Sequence, residues 1–295
     1  MSRNITVGLD GSPESLAAAD WAAREALLRD APLRLVHAWQ WHPYTYSPLA
    51  GAAVPPSEDD PRREWAERLP RETAARIAER HPRLSISAER IPEQPVTALL
   101  AVAEDADLLV LGSRGLGAVA GFLVGSVALA VVARTERPVV LVRAGERHED
   151  DHLTGDVVLG LDLENPDDSV LGFAFDAASR RAAGLRVVHG WSLPPYYYGY
   201  GGALDPQLNA ELGAQVQHRL TEVLRPWRDK FPGIEVNEQA VIGSAGSHLV
   251  DASRDASLVV VGRRNRRTPA GSHIGPVTQA VLHHSAAPVA VIPHD

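Results

Sequence analysis

The sequence predicts an α/β chain made of two tandem, doubly wound, Rossmann-like domains, each a five-stranded parallel sheet flanked by helices. Three observations lead there. A length of 295 residues suits two domains at about 100–200 residues apiece. Four blocks recur in the same order about 150 residues later, the mark of an internal repeat. They are Val7-Gly8-Leu9-Asp10 with Leu159-Gly160-Leu161-Asp162, Leu35–Trp39 with Val187–Trp191, Leu108–Gly112 with Leu258–Gly262, and Arg137–Val142 with Ala287–Ile292. Within each copy, short apolar runs alternate with helix-like segments, which implies right-handed crossovers in a doubly wound sheet.

In the first copy the strands are expected at Ile5–Leu9, Leu33–Ala38, Leu84–Arg90, Leu108–Leu111 and Val139–Val142. These runs are short and rich in Val, Leu and Ile, as in a parallel sheet covered on both faces. Helices are expected at Pro13–Arg29, Pro61–His81, Val96–Glu104 and Val127–Arg134. Ser12-Pro13-Glu14 supplies an N-cap, a proline at the first helical position and an early acid. The polar stretch Gly145–Gly155 reads as the linker, giving domains at 1–146 and 153–295.

Composition removes several classes of function. Acidic residues outnumber basic ones 37 to 29, for a net charge of −8, which argues against a nucleic-acid coat. The absence of cysteine excludes thiolate zinc, iron–sulfur clusters and a cysteine nucleophile. Lys230 is the only lysine and lies far from any glycine loop, so a P-loop NTPase is excluded. Neither a dinucleotide fingerprint after the first strand nor an H-E-x-x-H or G-x-S-x-G motif occurs. His283 and His284 are sequence neighbours, which point in different directions on a helix. His37 and His189 occupy matching strand ends, where a structural role is favoured over metal ligation. Gly115–Ala133 carries no charge and imitates a membrane span, but its counterpart Asn265–His283 holds Arg266, Arg267, His273 and Pro276. The stretch therefore reads as loop and helix. No long apolar segment follows the start, so the cytoplasm is expected. All six tyrosines fall in the segments 41–61 and 192–206, either surface loops or a lid or interface patch.

The chemistry concentrates after the fourth strand. Gly112-Ser113-Arg114-Gly115, nine residues, then Gly125-Ser126 form a G-x2-G-x9-G-S pattern. Backbone N–H groups in such a turn make a nest for anions. Gly125-Ser126 then opens a helix whose unpaired N–H groups and dipole favour phosphate. Three or four charge-assisted bonds, each about 1.5–3 kcal/mol, could hold a polyphosphate without lysine. Ligands of open α/β sheets bind beyond the strand ends where strand order reverses. Asp10 and Gly112 are then placed on either side of one crevice. Tight-turn glycines and a helix-capping Asp10 are the plainer alternative.

These features resemble the universal stress protein family in its tandem form. The similarity rests on Gly8-Leu9-Asp10-Gly11-Ser12, His37-Ala38, the Gly112/Gly115/Gly125-Ser126 signature and Arg137-Pro138-Val139, and it covers both copies. The resemblance implies ATP as ligand, with Asp10 and Ala38 at the adenosine end. Gly112, Arg114, Gly115, Gly125, Ser126 and Val127 would lie at the phosphate end. Asp10 could also help position a metal such as Mg2+.

In the second copy, Asp162, Gly262 and Gly275 keep their positions, but Asn265 replaces the second glycine and Pro276 the serine. Proline removes a donor, whereas asparagine can still enter the left-handed region. Arg263, Arg264, Arg266 and Arg267 cluster at this phosphate end, to hold phosphate, pair with acids across an interface, or remain solvated. The leading functional expectation is a non-catalytic, ATP-binding regulatory protein of the stress response. A slow ATP hydrolase or nucleotidyl-transfer enzyme in the same crevice and a nucleotide-shaped interaction scaffold are the alternatives. The resemblance further implies pairing of the two domains through their fifth strands, and a homodimer.

Overall fold

A computed structural model describes residues 4–40, 61–113, 125–144, 155–192, 206–265 and 274–295, with 206–209 as backbone alone. Two compact units divide the chain, Met1–Ala144 and Gly145–Asp295. The tyrosine-bearing segments, the stretch 145–154, and Arg114, Gly115, Arg266, Arg267 and His273 lie outside the described residues.

The first unit runs β1 (Asn4–Leu9), α1 (Pro13–Arg29), β2 (Leu33–Ala38), α2 (Pro61–Arg80), β3 (Ile86–Ile91), α3 (Pro95–Glu104), β4 (Ala106–Gly112), α4 (Ser126–Arg134) and β5 (Val139–Val142). Its strands are parallel and ordered β3-β2-β1-β4-β5. Such a sheet must be covered on both faces, and the residues comply. Leu108 to Leu111 of β4 and Val139 to Val142 of β5 are all buried, as are Ile5, Val7 and Leu9 of β1. The chain steps from β1 outward to β3, then crosses back to β4. That reversal leaves the ends of β1 and β4 diverging into a crevice.

The third strand departs from expectation. It spans Ile86–Ile91 rather than Leu84–Arg90, and its side chains alternate in exposure instead of being apolar on both faces. The physical reason is its place at the outer edge of the unit, where Glu89 reaches back to Arg34 of β2 at 2.6 Å. The N-terminus of α1 forms as its sequence prescribes, with Ser12 Oγ accepting from the Ser15 N–H at 3.2 Å. The last part of the apparent membrane span, from Ser126 on, belongs to helix α4 (Ser126–Arg134), with Ala128, Val131 and Val132 buried. No described helix is long and apolar enough to cross a membrane.

The second unit repeats the plan through β6 (Val157–Gly160), α5 (Asp168–Arg181), β7 (Leu185–Trp191), α6 (Pro206–Lys230), β8 (Val236–Ile242), α7 (Ala245–Ala252), β9 (Leu258–Arg264), α8 (Pro276–His284) and β10 (Val289–His294). Its order, β8-β7-β6-β9-β10, places the same reversal between β6 and β9. An aromatic cluster fixes α5 against α6, with Phe175 fully buried and its ring 5.7 Å from Trp227 and 5.5 Å from Phe231. Lys230 sits 5.0 Å from the Trp227 ring centroid, within cation–π range.

Both α1 and α5 end on a residue in the left-handed region, Asp30 and Ala182, each with φ of 49°. The cap N–H groups reach back to the last turn, Ala182 to Ser179 O at 3.1 Å. Alanine has no side-chain hydrogen bond to offset that conformation. Replacement Ala182→Gly is expected to stabilise the chain by about 0.5–1 kcal/mol, measured as an upward shift of the urea midpoint with unchanged slope.

Candidate functional site

Register brings the expected residues together at one edge of each unit. In the first, Gly8 pairs with Leu111 and Leu9 with His37, so Asp10, Ala38 and Gly112 follow at the ends of three adjacent strands. Asp10 Oδ1 accepts from the Ser12 N–H at 2.9 Å and from its hydroxyl at 2.5 Å, which ties the strand end to the start of α1. His37 is buried, and its Nδ1–H donates to the Leu9 carbonyl at 2.7 Å. The ring therefore braces β1 against β2, the structural role favoured by its position. His189 repeats the bond to Leu161 O at 2.9 Å.

Gly112 is required for closeness of approach, since its φ is not positive. A β carbon there would stand 2.6 Å from the backbone C of Glu14 and N of Ser15, in the first turn of α1. Gly125 differs: it is the N-cap of α4, and a β carbon added to it would meet nothing within 4 Å. No side chain caps α4 among the described residues, and its hydrogen bonding begins with the Leu129 N–H to Gly125 O at 3.0 Å. The N–H groups of Ser126, Val127 and Ala128 thus belong to the unsatisfied first turn.

Trp65 is a site neighbour that pattern reading passed over. It stands in the first turns of α2, 40% exposed, edge-on to His37 at 5.4 Å. Its indole lies so near Gly11 that a β carbon would approach Cζ2 to 2.6 Å, and Gly11 has φ of +82°. A large aromatic at the exposed start of an otherwise charged helix was the available signal.

In the second unit the corresponding strand ends enclose a cavity of about 470 Å³. Asp162, Gly262 and Gly275 all line it, with His189, Leu249 and Thr278. Gly190, the counterpart of Ala38 in the repeat, has α7 so close that a β carbon would meet Ala245 at 2.6 Å. The arginines resolve in part. Arg263 is buried, and Arg264 donates to Asp162 Oδ2 within its own unit. Asn265 does not enter the left-handed region. It extends β9 instead, its N–H donating to His294 O at 2.6 Å and its side chain to Asp295 at 3.3 Å.

His294 and Asp167 were not anticipated. His294 lines the cavity under Gly262, whose β carbon would meet Nε2 at 2.7 Å, and its Nδ1 is 3.8 Å from Asp167. Asp167 caps α5 by accepting from the Ser169 N–H at 2.8 Å and from its hydroxyl. Partial burial pushes the Asp167 carboxyl up, but the Ser169 bonds and the His294 charge outweigh it and hold it below the usual value of 3.8. A depressed carboxyl stabilises the fold above its unfolded value, and that contribution disappears as pH falls through the folded one. Urea unfolding from pH 6 to 2 should therefore show Asp167→Asn less stable than wild type at pH 6, with the gap closing below about pH 4.

The glycines give a second expectation. Gly112→Ala should destabilise the chain by about 1–3 kcal/mol, the scale of overpacking against backbone. Gly125→Ala should cost less than about 1 kcal/mol, the loss of a favourable N-cap residue alone. Thermal unfolding of both variants checks the contrast.

Comparison with known proteins bears on both units. The sequence model of the universal stress protein family matches residues 1–143 and 154–293. A universal stress protein of Mycobacterium tuberculosis is 34% identical over 298 residues, spanning 97% of this chain and 96% of its own. One from Mycolicibacterium smegmatis is 31% identical over 303 residues, spanning 98% and 96%. The crystal structure of a universal stress protein from Archaeoglobus fulgidus shares the fold, with a TM-score of 0.69, 17% identity and full coverage of both chains. With the repeat, the strand order and both matched segments in agreement, the chain belongs to the universal stress protein family.

Proposed function

We propose that this chain is an ATP-binding, non-catalytic regulatory protein of the stress response, holding nucleotide in the crevice beyond β1 and β4. The observation that carries this reading is the cavity at the equivalent place in the second unit, about 470 Å³ and bounded by three strand ends and the start of α8. Its size and mixed apolar and polar lining suit a small organic anion. In the first unit the residues fit the same kind of ligand. Ser126, Val127 and Ala128 offer first-turn N–H groups for phosphate, and Ser126 adds a hydroxyl. Asp10 and Ala38, at the ends of β1 and β2, would receive the ribose and base. Gly112 lets the backbone of β4 run close to α1, and Asp10 would help position Mg2+. Arg114 and Gly115 complete the set in sequence and lie outside the described residues.

A regulatory role is supported by what the described crevice provides. It holds first-turn donors for an anion and a carboxylate that Ser12 engages, groups that bind and orient a nucleotide. The reading includes a cytoplasmic location and a homodimer.

Small molecules released from the purified, denatured chain should include ATP by mass spectrometry. Asp10→Ala and Gly112→Ala should each lower ATP affinity at least about ten-fold, a loss of 1.4 kcal/mol or more, read by calorimetry. Steady phosphate or AMP release that disappears in Asp10→Ala would replace this reading with an enzymatic one.

A further inference from the structure

The two units differ where phosphate would lie, and the difference follows from the nucleotide reading just given. At the first helical position after the glycine N-cap, Ser126 of α4 offers an N–H and a hydroxyl, while Pro276 of α8 offers neither. The nearest hydroxyl in α8 is committed, since Thr278 Oγ1 donates to the Gly262 carbonyl at 2.8 Å. Hydrogen bonding in α8 begins with the Gln279 N–H to Gly275 O at 2.9 Å, which leaves the N–H groups of Val277 and Thr278 in its unsatisfied first turn. A guanidinium stands beside these amides: Arg264, one of the cavity's lining residues, reaches from the end of β9 to Asp162 at the end of β6. Asp162 is engaged at both oxygens, Oδ1 accepting from the Glu164 N–H at 3.0 Å and Oδ2 from Arg264.

We infer that the second unit takes a nucleoside monophosphate while the first takes the triphosphate, so that one chain reads two phosphate lengths of the same nucleoside. Two amides and one guanidinium match a single phosphoryl group. A longer phosphate chain passing Pro276 meets no N–H at that position. Cavity size does not make the selection, because about 470 Å³ accommodates either ligand. Binding exchanges partners: Arg264 leaves Asp162 for the phosphate, and the freed Asp162 oxygen accepts from a sugar hydroxyl. A neutral nucleoside gives Arg264 nothing in return and is disfavoured.

The test uses the full chain, with ATP and AMP as probes in calorimetry and native mass spectrometry to count ligands per chain. Wild type is expected to bind one ATP tightly and a second about a hundred-fold more weakly, the scale set by two lost charge-assisted bonds. AMP should fill the second unit at least ten-fold more tightly than ATP does. Proline and serine are both acceptable at the first helical position, so the sites can be exchanged. Ser126→Pro should remove the tight ATP site, and Pro276→Ser should create a second one. Arg264→Gln should weaken AMP at the second unit ten-fold or more. Two equivalent ATP sites in wild type, or exchange variants that bind as wild type does, overturn the division between the units. A chain that takes up neither nucleotide overturns the nucleotide reading itself.

Discussion

One steric constraint organises the first unit: the end of β4 and the first turn of α1 touch backbone to backbone. Gly112 is the residue at that contact, with a hypothetical β carbon 2.6 Å from the α1 main chain. Because α1 starts directly after β1, the contact fixes where Asp10 stands relative to the end of β4. Asp10 reinforces it by bonding to Ser12, and Ser12 in turn caps the helix through Ser15. Strand end, turn and helix start form a single hydrogen-bonded corner, and the crevice is the space that corner leaves beside α4.

The second unit reaches the same architecture with different contacts. Gly262 faces His294 and Val170 rather than helix backbone, and Gly190 takes over the close approach to a helix start, against Ala245. Asp167 caps α5 in place of Ser12, and an arginine occupies the carboxylate at the end of β6. The duplicated scaffold thus tolerates replacement of its contacts while the reversal between first and fourth strands persists. What changes is the chemistry offered at the edge.

Much of this was legible in the residues because it is written locally. A proline after serine announces the start of α1, and runs of Val and Leu announce strands buried on both faces. Glycines at matched distances announce close approaches. Less legible were interactions between segments remote in sequence. Trp65 meets His37 and Gly11 only once α2 folds back over β2 and β3. His294 meets Asp167 only because β10 ends beside the start of α5. The glycine of a signature carries two distinct meanings, a positive φ or a want of space, and spacing alone does not separate them. Gly11 has both, Gly112 has the second, and Gly125 has neither.

Lys230, poised over the Trp227 ring at the end of α6, has a consequence of another kind. A protease specific for lysine finds a single peptide bond to cut in the whole chain, between Lys230 and Phe231. Both residues belong to the aromatic corner that holds α6 to α5, so the bond is presented for cleavage when that corner opens. The rate of such a cut reads local opening of the second unit alone, against a first unit that contributes no background.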